Sequence, residues 1–510
     1  MVRPSIISRL IINRLIIARP ITLLVAASAA LGAQGQSENA FLLPASLLQD
    51  RFRPHIKATA GNIDPDTAFA LKLHSVGQSP YVFWRGTKDL FFDWSRQNLA
   101  RWRDTNPEDW VICHGDVHLG NVGTYPVSLT PPTLGVGLVD YDDADRLPPE
   151  YDLLQIAITL KLIAAEQKLP LDSASDALVA ALDAYVTALA PEVITESSPR
   201  ASANTTPPAN TTPPADTSPS ARLAKDPALT KLLTKSGKAA LSADIDEFVS
   251  EGKFRAVVKS KAGKIKELLR PMTDRPALAA ALFDAATRSQ SLAAELGKPA
   301  NPSALEANII DAAWRVRIGS SGSQGLSKLL VLAKTPAGER LIYLKQAIPS
   351  PAARAQLVAL RPPPAKRVAD SVSCGAPGWL GNTFTSMLGQ EFWVSVKDPW
   401  SDELDHADVD SAKQLVAAGR VMGVAVAKLH AATTRDLTGL RARVFEPDPA
   451  RPQDPTAGRL RPYALEQFQS LSTQYIAFQN AGYDSFLTDP AYLQAEKTVR
   501  KLLNDAARQQ

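Results

Sequence analysis

Apolar residues recur at helical spacing over residues 153–167 and 171–189, over 411–432, and through the tail from Pro462 onward, so each of these stretches is predicted to be a helix. Elsewhere the period changes. Trp314-Arg-Val-Arg-Ile318 alternates like a half-buried strand and is followed by Gly319-Ser-Ser-Gly322-Ser-Gln-Gly325. After that loop come a second apolar run over 326–333, a turn at Thr335-Pro-Ala-Gly338, and Arg340-Leu-Ile-Tyr-Leu-Lys345. That order predicts strand, glycine loop, strand, turn, strand, with a lysine on the third strand. The run Leu134-Gly-Val-Gly-Leu-Val139 predicts one further short buried strand that ends directly on Asp140. Residues 222–300 space their Leu, Ile and Val as a helical region would. Helical runs on both sides of a strand-rich 311–347 predict an α+β chain.

Composition divides the chain further. The near-repeat Asn204-Thr-Thr-Pro-Pro-Ala and Asn210-Thr-Thr-Pro-Pro-Ala is too rich in Pro and Thr to bury a core, so 197–221 is read as a linker. Its Asn-Thr-Thr triplets match glycosylation acceptors, but low complexity accounts for them more simply. The expected segments are a leader over 1–36, a mixed region over 37–196, this linker, a helical region over 222–300, a sheet region over 301–400 and a helical region over 401–510. At 510 residues and 45% hydrophobic content the chain is long enough to bury a large core.

The net charge of +4 misleads, because Arg3, Arg9, Arg14 and Arg19 precede the first acidic residue, Glu38, leaving 52 basic against 52 acidic residues in the remainder. That balance argues against generic nucleic-acid binding. Residues 222–270 do hold twelve basic against six acidic residues, which fits the solvated face of a helical region. The start of the chain has a basic region and a thirteen-residue apolar run over 21–33 with small residues near its end, the make-up of a secretory signal. That run is short for a membrane span, and no stable span is expected once a leader is removed. An organelle presequence has a similar make-up. Cys113 and Cys374 form no zinc pattern, and their spacing does not decide whether they pair.

Chemistry concentrates in His114-Gly-Asp116-Val-His118-Leu-Gly-Asn121, followed by Asp140-Tyr-Asp142-Asp143. Phosphoryl transfer needs a carboxylate to orient the attacking hydroxyl and oxygen ligands to hold magnesium against the phosphates. Asp116 with Asn121 has the Asp-x-x-x-x-Asn spacing of a kinase catalytic loop, and Asp140, with Asp142 beside it, would complete the metal ligands. The glycine loop (Gly319, Ser320, Ser321, Gly322, Ser323, Gly325) and Lys345 would then grip a nucleotide. Two rival readings stay open. His114, Asp116, His118 and Asp140 also suit a metal-dependent hydrolase or phosphoesterase, and a noncatalytic nucleotide-binding protein would use the same loop without turnover. Asp and Asn clusters also serve as turns and caps, and Asp152 is read as a cap for the helix that follows it.

Several segments resemble, in order, the landmarks of the bacterial domain of unknown function 2252 family. They are Ser79-Pro-Tyr-Val-Phe-Trp-Arg85-Gly, the His114 to Asn121 motif, Val139-Asp-Tyr-Asp-Asp-Ala144 with Tyr151-Asp-Leu153, Arg317-Ile-Gly-Ser-Ser-Gly-Ser323, Leu344-Lys-Gln-Ala347 and Gly423-Val-Ala-Val-Ala-Lys-Leu-His430-Ala. The resemblance implies a circularly permuted protein-kinase-like fold of two lobes, one largely helical and one a smaller antiparallel sheet. It implies Asp116 as the base, Asn121 and Asp140 as magnesium ligands, and Lys345 with the glycine loop on ATP. The acceptor is expected to be an unidentified small molecule with a hydroxyl. No Glu lies between Gln346 and Gln390, so Glu391 is the nearest downstream candidate to pair with Lys345. Export, which the leader suggests, conflicts with ATP chemistry, which is cytoplasmic.

Overall fold

The computed structural model describes residues 44–56, 63–129, 132–170, 172–190, 243–260, 262–318, 322–336, 338–360, 363–399, 401–447, 449–450 and 458–508. The expected leader and linker lie outside these residues, as do 222–242, Gly319, Ser320 and Ser321. The chain is α+β.

Helices α1 (Pro44–Arg51), α2 (Pro65–Val76), α3 (Pro80–Gly86) and α4 (Lys88–Asn98) open the described chain. One local device recurs at helix starts, a capping side chain followed by proline. Asp64 accepts from the Asp66 and Thr67 amides at α2, and Ser79 accepts from the Val82 amide at α3. Two small antiparallel pairs follow, β1 (Val111–Cys113) with β4 (Asp145–Leu147), and β2 (Val122–Leu129) with β3 (Pro132–Leu138). Helices α5 (Glu150–Glu166) and α6 (Ser173–Ala188) come next, where helical spacing predicts them. Helix α5 is buried on nearly every face, which makes it the axis of the helical part.

The sheet is seven-stranded and antiparallel throughout. Its strands are β5 (Val257–Lys259), β6 (Ile265–Pro271), β7 (Ile309–Arg317), β8 (Lys328–Thr335), β9 (Gly338–Gln346), β10 (Thr383–Met387) and β11 (Gln390–Val396), in the spatial order β10-β11-β9-β8-β7-β6-β5. The expected strand, loop, strand, turn, strand is β7 to β9. One sheet face, with Trp314, Leu329, Val331, Ile342, Leu344, Phe392 and Val394, packs on helix α7 (Arg275–Arg288) through Leu278, Leu282 and Ala285. The opposite face buries Ala313, Leu330, Leu332 and Leu341 with Phe248. Side chains alternate along a strand, so Lys345 shares this second face with Leu341 and Tyr343.

The helical expectation for 222–300 fails over 249–271. A short helix at Ala243–Phe248 gives way to strands at Val249–Ser250, Lys253–Phe254, β5 and β6 before α7 begins. Its Val, Ile and Leu spacing is ambiguous over so short a run. The turn between β5 and β6 decides it, with Gly263 at φ +76° and the Ser260 and Lys264 backbones bonded across it. Two strands thus join the sheet from outside the expected sheet region.

After helix α8 (Pro364–Gly375), which packs on β10 and β11, the chain returns to the helical part as α9 (Ala412–Thr433). This helix is long and apolar enough to cross a membrane by length and composition, yet its apolar face packs on α5 and α6. Gly419 and Gly423 make that packing close, because a Cβ at either would overlap the Ala177 and Ala181 carbonyl oxygens of α6. Helix α10 (Pro462–Thr488) lies along α5, where the Lys161 ammonium donates to the Gln469 carbonyl at 2.7 Å, and α11 (Pro490–Arg508) packs on α2.

Gly423→Val should therefore lower stability by about 1–3 kcal/mol or more through overpacking. Lys413→Ala, on an exposed position of the same helix, should stay within about 0.5 kcal/mol in the same denaturant melts.

Candidate functional site

The loop between β1 and the turn at Leu119–Asn121 is fastened to α5 by polar side chains on a single helix stripe. The Asp152 carboxylate accepts from the His114 amide at 2.6 Å and the Gly115 amide at 3.1 Å. The Gln155 amide accepts from the Val117 amide at 2.8 Å and donates to the Gly115 carbonyl at 3.0 Å, and the Thr159 hydroxyl donates to the Val117 carbonyl at 3.0 Å. All three side chains are fully buried. Positions 152, 155 and 159 fall on one face at helical spacing, so three turns of α5 read the backbone of the loop. Behind Asp152, His430 of α9 donates Nε2–H to its carboxylate at 3.1 Å and accepts from the Tyr185 hydroxyl at 2.9 Å. Gly115, at φ +77°, presses on the Asp143 carbonyl where a Cβ would not fit.

The loop is tied to the end of β3 as well, since His114 donates Nε2–H to the Val139 carbonyl at 2.9 Å. Asp140 follows in a left-handed conformation, φ 63° and ψ 70°, which costs a non-glycine residue about 1–2 kcal/mol. The turn it starts, Tyr141–Asp143, is pinned by Arg367 of α8, which donates to the carbonyls of Asp142 (2.7 Å), Ala144 and Ile348. Strain held in place by a half-buried arginine is the mark of a position fixed by its surroundings.

Cations from distant segments meet these acids. The Lys345 ammonium at the end of β9 lies 2.6 Å from Asp140 Oδ1 and 2.6 Å from Asp142 Oδ2. The Lys88 ammonium of α4 lies 2.8 Å from Asp116 Oδ1 and 3.2 Å from the Trp84 ring centre. Arg354 forms a two-pronged pair with Asp89, at 2.8 and 2.7 Å. Lys72 donates to the Gly322 carbonyl in the glycine loop, and Arg85 donates from Nε to His118 Nε2 at 3.0 Å. Most of these groups line one cleft, which gathers Lys72, Arg85, Lys88, Asp116, Asp140, Asp142, Asp143, Gly322 and Ser323.

Charge and burial divide the acids. Burial works to raise Asp116, but the Lys88 ammonium beside it wins and holds the carboxyl well below its usual range. Asp140, whose side chain is 43% exposed, loses some solvation in the cleft, and Lys345 overcomes that, so its carboxyl is lowered. Asp142 goes the other way, because burial outweighs the attraction of Lys345 and the Asp140 charge adds to it. Asp143 is pushed up to about 7 by burial and by the charge of Asp116, with Arg354 only partly opposing. Burial and the adjacent Arg85 push His118 down to about 3, so its imidazole is neutral at pH 7. The cleft therefore offers a firmly ionised Asp116 and Asp140 next to two carboxyls that hold protons more readily.

Asn121 stands against Asp116, its amide donating to the Asp116 carbonyl at 2.9 Å and to Oδ2 at 3.4 Å, which leaves its oxygen as the ligating end. Asn121, Asp140 and Asp142 carry oxygen donors, the type a hard divalent cation takes. Of the predicted site residues, Asp116, Asp140, Asp142, Gly322 and Ser323 line the cleft, and Asn121 and Lys345 are bonded to residues that do. Gly325, at φ +88°, lines a neighbouring pocket against α2 instead. Glu391 is not the partner of Lys345, since its carboxylate accepts from the Ser386 hydroxyl and the lysine is taken by Asp140 and Asp142. Asp152 does not cap α5. It lies inside the first turn and caps the His114–Asn121 loop instead.

Replacing Asp152 with Ala would leave the His114 and Gly115 amides and the His430 ring buried without an acceptor. A loss of roughly 3 kcal/mol or more in unfolding free energy is expected in denaturant melts. A loss under about 1 kcal/mol would show that the loop does not depend on this carboxylate.

No curated protein and no solved structure matches the chain. One family model does, over residues 65–489, a span that holds the His114–Asn121 loop, the Asp140 turn, the glycine loop and Lys345. The chain belongs to the family described as an uncharacterized protein conserved in bacteria, domain of unknown function 2252.

Proposed function

We propose that this protein is an ATP- and magnesium-dependent phosphotransferase with a circularly permuted kinase-like arrangement, acting on a hydroxyl of a small molecule. The observation that carries the reading is the ion-paired meeting of Lys345 with Asp140 and Asp142 beside Asp116, across about two hundred residues of sequence. A phosphate-gripping lysine, two oxygen ligands and a base have no structural need to share a cleft. Phosphoryl transfer needs all of them together.

In this reading Asp116 accepts the hydrogen bond of the acceptor hydroxyl and orients it. Its depressed titration keeps it ionised throughout the neutral range, so it aligns the nucleophile and takes the proton late. Asn121, Asp140 and Asp142 would hold magnesium, and bound magnesium would supply positive charge against the phosphate oxygens. Lys345 brings a buried ammonium to the same place, raised well above its usual range because Asp140 and Asp142 outweigh the burial that lowers it. The Gly322 and Ser323 backbone borders the cleft with no Cβ at Gly322 to keep a phosphate away. The left-handed Asp140 would spend its strain on aiming a ligand.

The hydrolase alternative draws less support. His114 has committed Nε2 to the Val139 carbonyl, and His118 Nε2 accepts from Arg85. The Cys113, Asp152 and His430 atoms, which do lie within metal-binding reach of one another, are wholly buried and engaged in the bonds that anchor the loop.

A thermal-shift titration with ATP, with and without magnesium, tests the reading directly, since a ligand of the folded state raises its melting temperature. Asp116→Asn should cut ATP-dependent turnover by roughly 10²- to 10⁴-fold while nucleotide binding persists. Full activity in that variant would remove Asp116 from the chemistry. Asp140→Asn should weaken ATP binding more with magnesium than without it in calorimetry. Equal losses in both conditions would make Asp140 a structural residue.

A further inference from the structure

We infer that Arg85 and Lys88 form a phosphate-receiving pair beside Asp116, built by the helices that precede the catalytic loop. The inference deepens the phosphotransferase reading and rests on it for its catalytic meaning, though the binding of a phosphate group does not.

Lys88 is 3% exposed, a burial that lysine reaches only when its charge is answered. Among the described residues its one ion pair is with Asp116 Oδ1 at 2.8 Å, and no further hydrogen-bond acceptor reaches the ammonium there. Three donors with one partner leave capacity for further oxygens. Trp84, under the ammonium, fixes its position without consuming a donor.

Arg85 is held from the other side. Its Nε–H is spent on His118, which aims the guanidinium, and the neutral imidazole contributes no negative charge. Among the described residues, Lys345 answers Asp140 and Asp142, Arg354 answers Asp89, and Lys88 answers Asp116, whereas Arg85 makes no ion pair. It nevertheless lines the cleft together with Lys88, Asp116, Gly322 and Ser323. A planar guanidinium with free terminal N–H groups next to a donor-rich ammonium matches the oxygens of a phosphate, whereas a hydroxyl acceptor alone would need neither.

During transfer, the bond from the acceptor oxygen to phosphorus forms as the bond from phosphorus to the bridging oxygen of the β-phosphate breaks. The electrons of that bond stay on the nucleoside diphosphate, and the acceptor proton passes to Asp116. Arg85 and Lys88 face the phosphoryl oxygens on which charge gathers.

The test is calorimetric titration of the full chain with inorganic phosphate, in the absence of nucleotide and magnesium. Arg85→Ala and Lys88→Met should each weaken phosphate binding about tenfold or more, with Arg85→Lys recovering part of the loss and Lys413→Ala changing nothing. Arg85 is half-buried and its removal leaves no buried carboxylate unpaired, so Arg85→Ala decides the matter if Lys88→Met does not fold. Wild-type protein that binds no phosphate, or an Arg85→Ala affinity within twofold of wild type, overturns the proposal. Phosphate binding that depends on Arg85 in a protein indifferent to ATP would sink the phosphotransferase reading and keep the pair. ATP binding with phosphate affinity unmoved by either variant would do the reverse.

Discussion

The candidate site depends on one buried carboxylate. Asp152 is wholly enclosed, yet it makes contact with two backbone amides of the His114–Asn121 loop and with the ring of His430. A charge so placed is tolerable only because every neighbour donates to it. That condition fixes more than the carboxylate. It holds α5 against α9 through His430, holds the loop against α5, and through His114 and the Val139 carbonyl it sets where β3 ends and Asp140 begins. Gln155 and Thr159 extend the same attachment along the helix, so the loop has little freedom to move relative to the core.

Above that anchored layer the cleft is assembled by ion pairs between segments remote in sequence. Asp89 pairs with Arg354 and Asp140 with Lys345, while Lys88 reaches Asp116 from the preceding helices. Buried pairs of this kind seldom add net stability, because removing both charges from water costs about what their attraction returns. Their effect is positional. Lys88 brings α4, and Lys345 the end of β9, to a carboxylate on the loop side, while Arg354 ties the Pro351–Arg354 turn of helix to α4 through Asp89. The same crowding separates the acids into ionised and protonatable members, with Asp116 and Asp140 on one side and Asp142 and Asp143 on the other.

Much of this is legible in the sequence where chemistry and period coincide. Asp116, Asn121 and Asp140 are marked by spacing and by an apolar run that ends on an acid, and the β7 to β9 meander by alternation with a glycine loop and a turn. The groups that escape are those whose role depends on which surface meets which. Asp152 begins a helix in the manner of a cap, and only its three-dimensional neighbours turn it toward the loop. A signal was present, since Asp152, Gln155 and Thr159 are polar residues at helical spacing on an otherwise apolar helix. Arg85 and Lys88 follow an ordinary Ser-Pro helix start, and nothing local says that they face an acid. The strands over 249–271 were hidden because short apolar runs fit either period, and their assignment rests on pairing with β7.

The glycine-loop sheet follows the His114–Asn121 loop along the chain, and the geometry explains why that order is unconstrained. No backbone segment needs to run directly from β9 to the Asp140 turn, because their relation is carried by Lys345 and by Arg367, whose guanidinium donates to the carbonyls of that turn. The His114–Asn121 loop is likewise held by side chains, those of α5 and the His114 ring on the Val139 carbonyl. Attachments made by side chains survive any reordering of the segments that carry them, provided each segment still buries its own apolar face. The sheet buries one face against α7 and the loop region packs against α5 and α9, with Trp393 of β11 reaching the helical core and Leu129 of β2 the sheet core. The cleft lies where these packed layers meet, and its acids and cations are brought together by the few charged side chains that cross between them.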